Sequence, residues 1–271
     1  MNKHPSYPRI VSVLLGTLVL GAWPCAAQSS APPSPPAGQS LDQAADDPTA
    51  SLMSVQWADW YTARFHGISG EDANTMVMRA AVPFATGELS HIFRATVPFV
   101  TDHPVLDTGL SDITLFDLVV FNESWGRWGV GPVVLLPAGG SSRGSEKWAA
   151  GPAVGFTAHQ GKLLYGLFNQ NLFSFAGDDA RTDISASILQ PIVSYGLGGG
   201  WSVGASEMTV TYDWEGARWS SLPLGAKVAK MLTFGGTPVQ VSLQYEHDFA
   251  DDAVGPADTI RLTFKFLFPT H

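Results

Sequence analysis

Nine ionisable residues are spaced so that they could act together. Arg79, Arg94, Glu207, Asp213, Lys227, Glu246, Asp248, Arg261 and Lys265 each stand between apolar neighbours at odd or even offsets. On a strand, that spacing turns the charges to one face and the apolar residues to the other. Charges of both signs gathered on the inside of a closed sheet would set up a transverse field and select polar solutes. The same charges could also pair and fill the interior. No catalytic residue or metal ligand set is read: no GxSxG, HExxH or P-loop is present, and His66, His91, His103 and His159 are scattered. Asp178, Asp179 and Asp183, and separately Asp248, Asp251 and Asp252, lack EF-hand spacing and read as solvated acidic loops.

Strands must position these groups. Thr259–Phe268 reads TIRLTFKFLF, with Ile260, Leu262, Phe264, Phe266 and Phe268 opposing Arg261, Thr263 and Lys265. Residues 75–84, 91–100, 201–214 and 238–249 alternate similarly. Runs at 111–122, 128–137, 148–159, 163–176, 183–195 and 219–234 alternate more weakly. These make eleven strands. An even count is expected of a bacterial barrel, and 52–65 supplies the twelfth through Val55, Trp57, Tyr61 and Phe65. Asp59 interrupts the apolar face of that segment, which leaves a short plug or helix as the competing reading. The fold class is therefore all-β: an antiparallel, transmembrane, up-and-down β-barrel of about 12 strands. Short turns at 160–162, 196–200 and 235–237 alternate with longer loops at 66–74, 101–110, 138–147 and 250–258. That asymmetry suits periplasmic turns and extracellular loops. Trp125, Trp128, Trp148, Trp201, Trp214 and Trp219 lie near strand ends, where interfacial girdles are expected.

The ends and the composition agree. Lys3 and Arg9, the apolar run 10–23 and Cys25-Ala26-Ala27 read as a secretory signal peptide over 1–27. Residues 28–51, with Pro32, Pro33, Pro35 and Pro36, read as a disordered Pro-rich linker, and 52–269 as the barrel. Cleavage removes the only cysteine, and with Lys3 and Arg9 it takes the net charge from −9 to −11. Such acidity excludes a general nucleic-acid binder. Charged residues are 14% and hydrophobic residues 45%, against about 25% charged in a soluble chain.

Small residues Gly129, Gly131, Ala149, Gly151, Ala153 and Gly155 share one face. They leave interior room for a permeant molecule or the N-terminal segment, or else serve curvature.

Several segments, in order, resemble the outer-membrane barrel family named for the MetA-pathway of phenol degradation. They are GLSDI at 109–113, WGVGPVVLLP at 128–137, KWAAGPAVG at 147–155, GLFNQNLFSFAGD at 166–178, LQPIVSYGLGGGW at 189–201, WSSLPLGAKVAK at 219–230 and LFP at 267–269. The resemblance implies a barrel with a suspected transport role for small compounds and does not imply a known substrate. No cofactor is expected.

The expected function is an outer-membrane channel or transporter-like barrel for small molecules, aromatic or hydrophobic ones included. Its location is the outer membrane of a Gram-negative bacterium after Sec-type export. Expected partners are outer-membrane lipids and lipopolysaccharide, the barrel-assembly machinery and a small solute. The alternatives are a non-conducting structural or interaction barrel and, more remotely, a lipid hydrolase using His247. The latter needs a serine and an orienting carboxylate. A turn at 235–237 places residue 247 opposite about 225.

Overall fold

A computed structural model describes residues 39–268. The proposed signal peptide, the proline cluster and Pro269-Thr270-His271 lie outside the described residues. The elements are α1 (Leu41–Asp46), β1 (Met53–His66), β2 (Ala73–Thr86), β3 (Leu89–Asp102), β4 (Gly109–Leu110), β5 (Ile113–Glu123), β6 (Gly126–Leu136), β7 (Lys147–Gln160), β8 (Leu163–Gly177), β9 (Ser185–Gly198), β10 (Trp201–Ala205), β11 (Val210–Asp213), β12 (Arg218–Ser221), β13 (Pro223–Phe234), β14 (Thr237–Asp248) and β15 (Gly255–Phe268).

Neighbours in sequence pair antiparallel, and β1 closes the ring on β15 with Trp57 opposite Phe264. β10 and β11 both pair with β9 and form one stave. β12 continues into β13, and β4 is a small flap on β3. The result is a closed antiparallel barrel of twelve strands. Closure satisfies every strand edge, which an open sheet in an apolar solvent could not do.

The period-two pattern explains the two faces. Trp57, Phe93, Leu243, Ile260, Leu262 and Phe264 are exposed on the outside, while Gln56, Ser242, Gln244, Arg261 and Thr263 are buried within. Segment 52–65 is a strand. Asn74 donates from its side-chain amide to Asp59, which relieves the cost of a carboxylate on that face. Gly235 and Gly236, both at positive φ, make the two-residue turn between β13 and β14. That is the geometry a tight hairpin requires.

Two expectations need correction. Residues 201–214 alternate in sequence as one continuous strand would, but the strand breaks after Ala205 and resumes at Val210. Trp201 and Val203 face outward before the break, and Met208 is buried after it. Around the break, Ser206 N–H donates to Gly225 O (3.2 Å) and Glu207 N–H to the side-chain oxygen of Gln244 (2.7 Å). An irregularity of this kind re-aims a side chain, here the Glu207 carboxylate. The second correction concerns the leader: its 39–51 portion is not an extended linker. Ser40 N–H donates to Gln43 Oε1 (3.1 Å), α1 follows, and Ala44, Ala45, Ala50 and Leu52 pack against Leu267. A capped helix that buries its alanines inside the barrel outweighs the linker's solvation.

The small-residue face serves two ends: a Cβ on Gly131 or Gly151 would meet the backbone oxygen of Asp117 or Asn171, the close approach that curvature requires, and elsewhere side chains fill the room. A Cβ on Gly155 would come within 2.7 Å of the Phe168 ring. Phe168, Phe116, Leu118, Leu164 and Ile192 form an apolar cluster with Ala149 and Ala153. One side of the interior is thus packed by side chains of the neighbouring strands.

Candidate functional site

Two cavities within the barrel lie on either side of a belt of charge. Toward the end with the short turns, α1 enters the barrel. Gln43 donates to Gly161 O (3.0 Å) in the β7–β8 turn. Asp46 Oδ1 accepts from Lys227 Nζ at 2.6 Å and Gln240 at 3.2 Å, and its Oδ2 from Ser194 at 2.7 Å. Asp47 pairs with Arg127 and accepts from the hydroxyls of Thr49 (2.6 Å) and Thr157 (3.0 Å). Lys265 Nζ donates to Ala45 O (2.8 Å). Acidic residues at a helix C-terminus oppose the helix dipole, and the last carbonyls have no partner within the helix. Lys227, Arg127 and Lys265, supplied by three strands, offset both defects. The helix is held in place by the barrel wall.

The belt comes next. Arg79 lies 2.7 Å from Glu207, and Lys265 lies 3.8 Å from it. Arg261 binds Glu246 at 2.7 Å, donates to Glu207 O at 2.9 Å and lies 4.2 Å over the Trp60 ring. Arg94 lies 4.3 Å over Phe116. Opposite charges therefore pair directly instead of facing one another across open space. Arg79, Arg94, Glu207, Lys227 and Lys265 line one cavity together with Asp46 and Asp47. Glu246, Asp248 and Arg261 line a larger cavity of about 360 Å³ on the long-loop side, with Trp60, Phe65 and Trp219.

Two candidates have other tasks. Asp213 pairs with Arg218 (3.8 Å) and lines neither cavity, so it is not part of a wall facing the basic residues. Asp248 accepts from Leu222 N–H (2.7 Å), Ala250 N–H (2.9 Å) and Ser221 Oγ–H (2.6 Å), which fixes the end of β14. Residues that sequence reasoning missed are Asp46, Asp47, Arg127 and Gln56. A signal was present: Ser40-x-x-Gln43 is a capping-box pattern.

His247 lies opposite Leu224, one residue from the expected register. Its Nδ1 is 2.9 Å from Asp258, which also binds Arg64 (2.6 Å) and Tyr245 (2.8 Å). A carboxylate partner is present, but among the described residues no serine hydroxyl bonds to His247. Among the described residues there is also no cluster of His, Cys, Asp and Glu suited to a metal ion.

These features define a plugged twelve-stranded barrel. No family model matches the chain, and no curated protein matches it. Among solved structures it is similar to an outer membrane channel from Pseudomonas putida F1, at 16% identity and TM-score 0.58 over 87% of this chain and 99% of that one. That likeness shows the fold. Looser likenesses are the KdgM porin in complex with disordered oligogalacturonate (8% identity, TM-score 0.46, 80% and 99% covered) and outer membrane phospholipase A from Escherichia coli (10%, 0.43, 79% and 92%).

Proposed function

We propose that this chain is an outer-membrane channel or transporter-like barrel for small solutes, closed at its periplasmic end by residues 39–52. One observation carries this reading. A buried helix is tethered inside the barrel by Lys227–Asp46 and Arg127–Asp47, with a cavity on the other side of the belt. A tether of charge pairs in the lumen can be broken without dismantling the wall. The aromatic lining of the outer cavity suits a small solute with an apolar body. The apolar outer band and the sequence motifs support membership of the MetA-pathway family, and the signal-peptide pattern over 1–27 supports delivery by Sec export. The last strand would engage the assembly machinery, and the outer loops would engage lipopolysaccharide.

The test is conductance in planar bilayers, comparing the full chain with a variant lacking residues 39–50. Low conductance in the former and a several-fold rise in the latter supports the reading. Two folded proteins that both fail to conduct would favour a non-conducting barrel. The apolar cluster around Phe116 and Phe168, which packs part of the interior, favours that second reading.

A further inference from the structure

Arg94 differs from the other basic groups around the inner cavity. Asp46, Asp47 and Glu207 are the three carboxylates lining it. Asp46 is taken by Lys227, Asp47 by Arg127, and Glu207 by Arg79 and Lys265. Arg94 has no carboxylate partner among the described residues, and its Nε is buried without a hydrogen bond to the protein. Its guanidinium lies 4.3 Å over the Phe116 ring. Stacking of that kind holds the cation flat and leaves the in-plane N–H groups free.

A second group in the same cavity has the same property. Gln56 is 1% exposed, and neither its Oε1 nor its Nε2 has a protein partner. Gln56 on β1 stands opposite Arg79 on β2, and Arg94 on β3 stands opposite Ala81 on β2. Both side chains line the cavity that α1 covers, from the strands on either side of β2. Buried donors without partners cost free energy, and a buried cation costs more than an amide.

We propose that Arg94 and Gln56 form a binding site for a small monovalent carboxylate, an acid of one to three carbons, beneath α1. The planar fork of arginine matches the two oxygens of a carboxylate, and the glutamine amide supplies a further donor. Ile92, Ile192 and Leu267 line the same space and would face the short alkyl end. The cavity measures about 70 Å³, roughly half the volume of a cavity of about 150 Å³ that takes benzene. Size therefore favours formate or acetate over benzoate. The site belongs to the closed barrel and needs no conduction, so a failure of the bilayer experiment leaves it standing.

The experiment measures ¹³C-acetate line broadening on the full chain in detergent, with benzoate and chloride as competitors. Heat-modifiable migration serves as the fold check. Saturable acetate binding is expected, weakened by about tenfold or more in Arg94→Met and in Gln56→Leu, each loss corresponding to a charge-assisted or buried hydrogen bond. Arg94→Lys, which keeps the charge and loses the fork, covers the case in which Arg94→Met does not fold, and is expected to weaken acetate similarly. Unsaturable broadening in the folded wild type overturns the site. So does unchanged affinity in a folded Arg94 variant. Chloride or benzoate competing as well as unlabelled acetate overturns the assignment to a small carboxylate.

Discussion

Lys227 Nζ lies 2.6 Å from Asp46 Oδ1, joining the middle of β13 to the last residue of α1. Both side chains are buried, at 5% and 2% exposure. Removing one partner of such a pair strands a charge, whereas removing both need not destabilise. Asp46→Asn alone should destabilise the plugged state by about 3–5 kcal/mol. Lys227→Met combined with Asp46→Leu should recover much of it. The check is a double-mutant cycle on the midpoint of heat-modifiable migration. Strictly additive effects would show that the pair does not hold the helix.

Charge tolerance should separate the two barrel faces. Phe264 is exposed on the outer face between Trp57 and Val241. Phe264→Lys should cost about 2–4 kcal/mol of assembly stability, as a cation facing lipid does near the midplane. Ser202 faces inward, and its hydroxyl has no protein partner, so Ser202→Ala should assemble normally. Folding yields in lipid vesicles measure both. Equal defects would mean that the faces are misassigned.

Gly155 makes room for the Phe168 ring, which is fully buried. Gly155→Ala should destabilise by about 1–3 kcal/mol through overpacking. Phe168→Leu in the same chain should restore part of that stability, a rescue that curvature alone would not produce. Urea titration of tryptophan emission reads the difference.

His103 sits in the loop after β3, and its Nδ1 accepts from the backbone N–H groups of Val105 and Leu106, both at 3.1 Å. Burial lowers its pKa below 6.5, partly offset by the Asp102 charge. A lowered folded pKa means that the unfolded loop takes up a proton first as pH falls. The loop's stability is therefore full above about pH 6.5 and declines as pH drops through the lowered folded value. Amide exchange at Val105 and Leu106, corrected for intrinsic rate, should be faster at pH 5 than at pH 7.5. His103→Asn should flatten that dependence.

The belt also changes which substitutions probe permeation. Arg261 and Lys265 share the clearest strand in the sequence, yet Arg261 neutralises Glu246 and Lys265 helps to neutralise Glu207. Replacing both with glutamine would leave carboxylates under-compensated inside the barrel and confuse ion selectivity with stability. Arg94 is the better probe, because its removal strands no carboxylate among the described residues.

Alternation along 259–268, 238–249, 91–100 and 75–84 was enough to specify two-faced strands, because a strand's side-chain period is set by local geometry alone, and closure followed from their number and from the short turns alternating with longer loops. Val55, Trp57 and Tyr61 likewise carried β1 despite Asp59, whose partner Asn74 lies on the next strand and is invisible to a local pattern. What alternation cannot encode is where an inward side chain ends. Arg79, Lys265 and Glu207 meet only because the strand breaks at 206–209, and Asp213 goes to Arg218. The leader shows the same limit. Residues 39–51 resemble a solvated linker in composition, since their burial depends on Lys227, Arg127 and Lys265, between 80 and 220 residues away along the chain. Only the folded barrel brings those cations to the end of one short helix, and that charge compensation, which is tertiary by nature, turned the linker into a plug.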